Sequence, residues 1–356
     1  MVIERIAVPG YEEVVRCVDA GTGLRAIVAI HSTALGPALG GVRFRPYGDD
    51  EEALHDVLRL ARGMTYKAAV AGLDLGGGKA VLVGDPARLR SDELLRAYAR
   101  FVDSLGGRYL TAEDVGTTQT DMDLIRQETR HVTGGSESAG GSGDPSPATA
   151  LGVVHALRAL AEHAWGDDSL EQRHVVVVGA GKVGSALIGH LVTAGAVVSV
   201  ADVDPARVDE MARRHGARPV DVDEALTLEC DVLAPCALGG ILDADTIPRL
   251  RCRAVCGPAN NQLAKRGDAD RLARARILYV PDYVASAGGI INIAEELRGY
   301  DGERAVAAVA GIRRTAGAVL AAAATEGVTP LEAADRIAER RLASATHTGG
   351  RRAAGS

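Results

Sequence analysis

Aromatic side chains are nearly missing from this chain. Among 356 residues there are two Phe, one Trp and eight Tyr. The core must therefore be built from Ala, Val, Leu and Ile. No excess of basic residues exists either. The formal net charge is −7, and no long Lys/Arg run occurs, so nothing invites a nucleic acid or an anionic membrane surface. Arg351 and Arg352 in the last eight residues are a frayed end rather than a basic arm. No apolar stretch approaches the ~20 residues of a membrane span. The opening MVIERIAVPG lacks a basic segment followed by an apolar run, so a cytoplasmic protein is expected. The five cysteines (Cys17, Cys230, Cys236, Cys252, Cys256) are odd in number and irregular in spacing. Cys252 and Cys256 lie four apart without a second such pair or a His partner, so neither a disulfide framework nor a metal site is expected.

What is present is ordinary for a folded protein: 47% apolar and 24% charged residues. The length predicts two domains. Leu24 to His31 reads as a strand. Asp49 to about Ala69 has helical periodicity, with Asp49 as N-cap and Leu54, Val57, Leu58 and Ala61 on one face. A glycine-rich turn, Leu75-Gly-Gly-Gly-Lys79, leads into a strand over Ala80 to Val83. A helix follows from Ser91, its N-cap, to Leu105, then a strand over Arg108 to Ala112 that ends at Glu113-Asp114. The Gly/Ser/Pro-rich segment Gly134 to Pro147 is the clearest break in composition and reads as an interdomain hinge. A helix should begin near Ala148.

Beyond the hinge, short apolar strands alternate with helices, the pattern of a doubly wound parallel sheet. His174 to Val178 (HVVVV) is an unbroken apolar strand of the kind that is covered on both faces. Gly179-Ala-Gly-Lys-Val-Gly184 follows it and opens a helix. Asp202 ends the next strand, 23 residues after Gly179. A lone GxGxxG says little, but strand, glycines, helix and distant acid together form a dinucleotide fingerprint. Gly179 permits the tight turn, Gly181 lets a pyrophosphate approach the backbone, and Gly184 allows close packing of helix on strand. The helix N-terminus offers N–H groups and partial positive charge. Asp202 would accept from ribose hydroxyls and repel a 2′-phosphate, which favours NAD, although Arg207 stands nearby. An alanine-rich helix spans about Glu303 to Thr325 and another Leu331 to Leu342.

Three charged residues stand out in the first part: Lys67 after Gly63-Met-Thr-Tyr, Lys79 after the three glycines, and Asp114 after Thr111-Ala-Glu. Spacing alone leaves two readings open. They can be solvated surface groups. They can equally be a catalytic set, because a partly desolvated lysine near a second cation is a usable general base and glycines let a backbone approach a ligand closely.

The segments Leu35-Gly-Pro-Ala-Leu-Gly-Gly41, Gly63 to Lys67, Leu75 to Lys79, Thr111 to Thr118, Ala234-Pro-Cys-Ala-Leu-Gly239 and Ala285-Ser-Ala-Gly-Gly289 resemble, in order and over nearly the whole chain, the Glu/Leu/Phe/Val amino-acid dehydrogenase family, nearest its leucine- and valine-type members. The resemblance implies an N-terminal α/β substrate domain over residues 1–145, rejoined by 326–356. A Rossmann-type NAD-binding domain would span 148–325, across a cleft. It implies NAD-dependent, reversible oxidative deamination of a small apolar L-amino acid to a 2-oxo acid and ammonia. Lys67 would bind the substrate carboxylate, Lys79 would activate water, and Asp114 would carry protons to and from the nitrogen. Gly41 would also border the substrate. The side-chain pocket would be lined by Leu39, Met64, Ala112, Ile290 and Ile293, and Ser286 would face the substrate. Besides the glycines and Asp202, NAD would meet Lys182, Val183, Thr149, Cys236, Ala237 and Asn260. A homo-oligomer is implied, with a dimer preferred.

Three positions depart from the family pattern: Ser286, Asp144 and Ala68 each stand where Asn is common. Ile290 and Ile293 stand where Val is frequent, which narrows the pocket and favours valine over phenylalanine. No lysine is placed to hold a side-chain carboxylate, which argues against glutamate. Two competing expectations remain. One is a specialised biosynthetic oxidoreductase with an unusual amine substrate, marked by Ser286. The other is a non-catalytic NAD-binding sensor, which would have no need of Lys67, Lys79 and Asp114.

Overall fold

A computed structural model describes residues 1–237 and 239–353, with the side chains of 346–353 left aside. Contacts divide the chain into two compact units. The first holds Met1–Asp144, Ile293–Gly302 and Ala338–Ser356; the second holds Pro145–Asn292 and Glu303–Ile337.

The first unit is built on a mixed six-stranded sheet. Its strands are β1 (Val2–Arg5), β2 (Glu13–Asp19), β3 (Leu24–Ser32), β4 (Ala38–Arg45), β5 (Gly76–Val83) and β6 (Tyr109–Glu113), in the order β1-β2-β3-β5-β4-β6. β1, β2, β3 and β5 pair antiparallel, while β5, β4 and β6 run parallel. Helix α1 (Asp50–Val70) starts where expected, with the Asp49 carboxylate accepting from Glu52 N. Ala53, Val57 and Ala61 pack on Val14, Ile27, Ala29 and Val81 of the sheet. Leu54 and Leu58 of the expected face sit at that cluster's margin, and the small residues Ala53, Thr65 and Ala68 are buried instead. The single-turn α2 (Pro86–Leu89), helix α3 (Asp92–Asp103), capped by Ser91, and α4 (Gln119–Arg126) complete the segment. Tyr98, Phe101, Leu95 and Ile125 meet Val28, Phe44 and Tyr109 on the opposite sheet face.

The glycine-rich stretch corrects the sequence reading. Gly76–Gly78 is not a turn but the first half of β5, and Lys79 is an interior strand residue. The cause is close approach. A Cβ on Gly77 would fall on the backbone N of Thr65 in α1, and one on Gly78 would lie 2.8 Å from the Tyr109 ring. Bare backbone lets a helix lie directly on the strand.

The second unit is an all-parallel sheet of β7 (His174–Val178), β8 (Val197–Ala201), β9 (Arg218–Pro219), β10 (Cys230–Pro235), β11 (Cys252–Val255) and β12 (Leu278–Tyr279), in the order β12-β11-β10-β7-β8-β9. The order reverses between β10 and β7, the doubly wound pattern expected. Helices α5 (Ser146–Trp165), α6 (Lys182–Thr193), α7 (Pro205–His215), α8 (Val222–Ala225), α9 (Asp268–Arg274), α10 (Asp282–Ala285) and α11 (Gly288–Ala294) connect and flank the strands. α6 begins at Lys182, inside the glycine motif. The alanine-rich helix is two, α12 (Gly302–Ala310) and α13 (Ile312–Glu326), meeting at Gly311. Together they run 25 residues and are long and apolar enough to cross a membrane by length and composition alone, against the sequence expectation. Alanine supplies that apolarity. Ile312 packs against Gly152 of α5, and Arg313 pairs with Glu162 and Asp168 at 2.9 and 2.7 Å, as in a helix docked on protein.

The return to the first unit also differs from expectation. Residues 326–337 stay with the second unit, and α14 (Pro330–Ala353) crosses back only at Ala338, while Ile293–Gly302 makes an earlier return. Two side chains account for this. Glu296, nearly buried, accepts from Arg126 and from the backbone N–H of Gly134 and Ser142, all within 2.8–2.9 Å. Arg341 donates to Ala69 O and Gly72 O, each at 3.0 Å, and to Asp74 at 2.8 Å, closing the C-terminal end of α1.

Gly77→Ala is expected to destabilise the protein by about 3 kcal/mol or more, because helix backbone cannot yield to the new methyl. Gly63→Ala, on the exposed side of α1 with nothing near its Cβ, is expected to stabilise by about 0.5–1 kcal/mol. Urea midpoints of the two variants check the contrast.

Candidate active site

Strand alternation gathers the charged residues of the first unit. In β4, Leu39 faces Gly77 of β5, Arg43 faces Val81, and Gly41 faces Ala112 of β6. Side chains two apart share a face, so Leu39, Gly41, Arg43, Gly77, Lys79, Val81 and Ala112 lie on one side of three adjacent strands. Val81 shows which side: it packs under α1. Asp114 continues this row just past the end of β6. A Cβ on Gly41 would lie 2.8 Å from the Asp114 Cβ, so Gly41 leaves the space that the carboxylate occupies.

Lys79, with a side chain only 7% exposed, donates from Nζ to Asp114 Oδ2 at 3.0 Å. Arg43 Nε donates to the same oxygen at 3.0 Å. Burial pushes the Asp114 carboxyl up, but the charges of Lys79 and Arg43 and their hydrogen bonds outweigh it and hold the carboxyl below its ordinary value. Thr117 fixes the approach of the chain: its hydroxyl accepts from Asp114 N at 2.9 Å and donates to Val42 O at 3.0 Å. An ammonium and a carboxylate in direct contact, one nearly buried and the other partly buried, can exchange a proton and present a second oxygen to a ligand.

Lys67 and Met64 are half-buried in the C-terminal part of α1. Leu39 and Ala112 are buried. Of the other proposed pocket residues, Ile293 belongs to the first unit, while Ser286 and Ile290, both buried, belong to the second. Ser286 N donates to Asp282 O, closing α10. Sequence reasoning missed Arg43. The signal was available, since Arg43 follows Leu39 and Gly41 at strand spacing.

The second unit carries the glycine loop at the point where the strand order reverses. Gly179 has φ +110°, and a Cβ there would lie 2.7 Å from the Ala237 Cβ at the tip of β10. Gly181 caps α6 without any side-chain acceptor, and only the end of the Arg207 side chain, 4.0 Å away, comes near its Cβ position. A Cβ on Gly184 would strike Gly179 O. Lys182 and Val183 form the first turn of α6. Asp202, at the end of β8, accepts from Ala180 N at 2.6 Å and Asp204 N at 2.9 Å. Arg207 Nε pairs with Asp204 at 3.3 Å, while its Nη1 lies 4.0 Å from where a Cβ on Gly181 would sit, so the guanidinium also borders the loop. Cys236 N donates to Val178 O, and burial pushes the Cys236 thiol far up, so it stays protonated. Ala237 and Asn260 are exposed beside this rim. Thr149, near the start of α5, donates to Pro145 O and lies under Gly289. A bare helix N-terminus, an open glycine and an acid at the next strand tip fit a dinucleotide with free ribose hydroxyls.

A parallel sheet with this loop, joined to a unit holding a buried lysine–carboxylate pair, defines a dinucleotide-dependent oxidoreductase. Comparison with known proteins narrows the class. Residues 12–131 match the family model described as Glu/Leu/Phe/Val dehydrogenase, dimerisation domain, and residues 140–210 and 202–350 match Glutamate/Leucine/Phenylalanine/Valine dehydrogenase. The chain is 53% identical to a valine dehydrogenase of Streptomyces virginiae over 94% of its own length and 95% of the relative's. It is 50% identical to a leucine dehydrogenase of Thermoactinomyces intermedius, over 93% and 91%. The crystal structure of L-tryptophan dehydrogenase from Nostoc punctiforme superposes with a TM-score of 0.85 at 44% identity, over 95% and 97% of the chains. The chain belongs to the Glu/Leu/Phe/Val dehydrogenase family, and is an NAD-dependent amino-acid dehydrogenase.

Asp114→Asn leaves the Lys79 ammonium without its counter-charge. A carboxyl held low by folding contributes stability that is complete above its unfolded value and is lost as pH falls through its folded value. The variant is therefore expected to be less stable by about 2 kcal/mol at neutral pH, between surface and buried pair values. The difference from wild type should shrink on acidification below the ordinary carboxylate range. Urea titrations across pH check both magnitude and sign.

Proposed function

We propose that the protein oxidatively deaminates a small branched-chain L-amino acid, valine before the others, and runs the reverse amination. The observation that carries the reading is the Lys79–Asp114 contact on a sheet face bordered by the apolar Leu39 and Ala112. The valine- and leucine-type relatives at about half identity favour an aliphatic substrate. The tryptophan enzyme at 44% shows that the same fold also serves a bulky side chain, so the choice of valine rests on the bulk of Ile290 and Ile293. An added methylene at each narrows an apolar pocket at about 1–3 kcal/mol of discrimination.

NAD, when bound, would supply the acceptor for the hydride that leaves Cα. Gly179, Gly181, Gly184 and the first turn of α6, with Lys182 and Val183, cradle its pyrophosphate. Asp202 takes the ribose hydroxyls, and Thr149, Cys236, Ala237 and Asn260 border it. Lys67 binds the substrate carboxylate. Asp114 removes a proton from the substrate ammonium, because only a neutral amine releases hydride readily. Lys79, acting as the neutral amine once its own proton has passed to solvent, takes the proton from the water that attacks the resulting iminium carbon. Asp114 then returns a proton to the departing nitrogen. Ser286 faces the substrate in place of the family's usual Asn. We propose a substrate domain for the first unit and a cofactor domain for the second. We also propose a homo-oligomer, a dimer by preference, in keeping with the matched dimerisation domain, and a cytoplasmic location.

The test is NADH formation from NAD across a panel of L-amino acids at alkaline pH. L-valine or L-leucine should give the highest kcat/KM, with phenylalanine and glutamate well below. Lys79→Ala and Asp114→Asn should each lower kcat by about 100-fold or more while NAD affinity is kept. Full activity in Lys79→Ala would remove the mechanism. NAD binding without turnover of any standard amino acid would move the assignment to an unusual amine. Asp202→Ala should also erode the preference for NAD over NADP.

A further inference from the structure

Arg43 has no part in the scheme above, yet it is half-buried among the groups that define it. Its guanidinium spans two carboxylates. Nε donates to Asp114 Oδ2 at 3.0 Å and Nη1 to Asp56 Oδ2 at 3.1 Å. Asp56, on α1, is itself held by Tyr47 OH and Arg59, each at 3.0 Å. The bridge therefore runs from α1 through β4 to the end of β6. Both cations beside Asp114 use one oxygen, Oδ2, and no described hydrogen bond uses Oδ1.

We infer that Arg43 is a positioning residue: together with Lys79 it clamps Asp114 by Oδ2, so that Oδ1 alone is presented to the substrate nitrogen. The inference rests on the reading of Asp114 as the proton carrier. One cation would leave the carboxylate free to rotate about its last bond. Two cations approaching from different strands define the plane. Arginine suits this place because its rigid fork serves two carboxylates at once, whereas a lysine ammonium is a single point. The second consequence is electrostatic. The charged groups around Asp114 are Lys79 from β5, Arg43 from β4, and, one step further, Asp56 and Arg59 from α1. The buried Tyr109 phenol of β6 lies close enough to feel its charge. Removing Arg43 removes a favourable charge, so the Asp114 carboxyl must titrate at higher pH.

The test uses the full-length protein as wild type, Arg43→Met, Arg43→Lys and Asp56→Asn, with L-valine and NAD. Arg43→Met is expected to lower kcat by about tenfold or more, with KM for valine within about threefold. The acid limb of the kcat/KM profile should move to higher pH. Arg43→Lys, which keeps the charge and serves if the Met variant does not fold, should keep the limb closer to wild type yet still lose kcat. Asp56→Asn, which removes a like charge one step further out, should move the limb to lower pH by a smaller amount. A carboxyl-carbon NMR titration, with Asp114 assigned through Asp114→Asn, gives a readout that needs no turnover. Should the wild type fail to oxidise valine, the substrate reading falls, and this titration still decides the role of Arg43. An upward shift of Asp114 in Arg43→Met supports the clamp. Unchanged titration, or wild-type kcat and pH profile, overturns it.

Discussion

Helix α1 can lie where it does only because β5 begins with three residues that have no side chains. The contact of Thr65 with Gly77 brings helix backbone onto strand backbone, and the first residue after the glycines to carry a long side chain is Lys79. That lysine has almost no water around it. An ammonium buried without a counter-charge costs several kcal/mol, so the fold must supply a carboxylate within reach. It does so from the neighbouring strand system, where Asp114 follows the end of β6. Gly41 keeps the ground clear for it, Thr117 holds its backbone and Arg43 shares its Oδ2 oxygen. Packing and chemistry are thus one problem. The close approach that buries the sheet face also creates a charged pair with one face toward solvent.

The second unit follows from a different constraint. β7 is apolar along its length because both sheet faces are covered, and its chain leaves through a glycine with positive φ. The next helix starts with no side-chain cap, which would cost stability in an ordinary helix and is what an anion-binding N-terminus requires. Asp202 ties the loop to the adjacent strand through Ala180 N while it keeps the rim acidic.

Much of this was legible from sequence because it is local. The caps at Asp49 and Ser91, the HVVVV strand, its glycine loop and Asp202 all rest on spacings of a few residues or one βαβ unit. The parts that were not legible depend on contacts between distant segments. Gly76–Gly78 reads as a turn locally, since glycine punctuates chains, and is a strand only because α1 and Tyr109 lie against it. The Ile293–Gly302 return depends on Glu296 meeting Gly134 and Ser142, more than 150 positions away. Arg43 passes unmarked until strand alternation puts it in the row of Leu39 and Gly41. Lys67 and Ser286 keep the roles that the family resemblance gives them as proposals.

The most direct measurement is a crystal structure of the intact protein with NADH and the 2-oxo acid of valine, a complex that cannot react without ammonia. The account requires the acid's carboxylate on Lys67, its carbonyl oxygen within hydrogen-bond distance of Lys79, and Asp114 Oδ1 turned toward C2, with Oδ2 still held by Arg43. An acid bound away from this sheet face, or with its carboxylate on Lys79 and its carbonyl turned from Asp114, would contradict it.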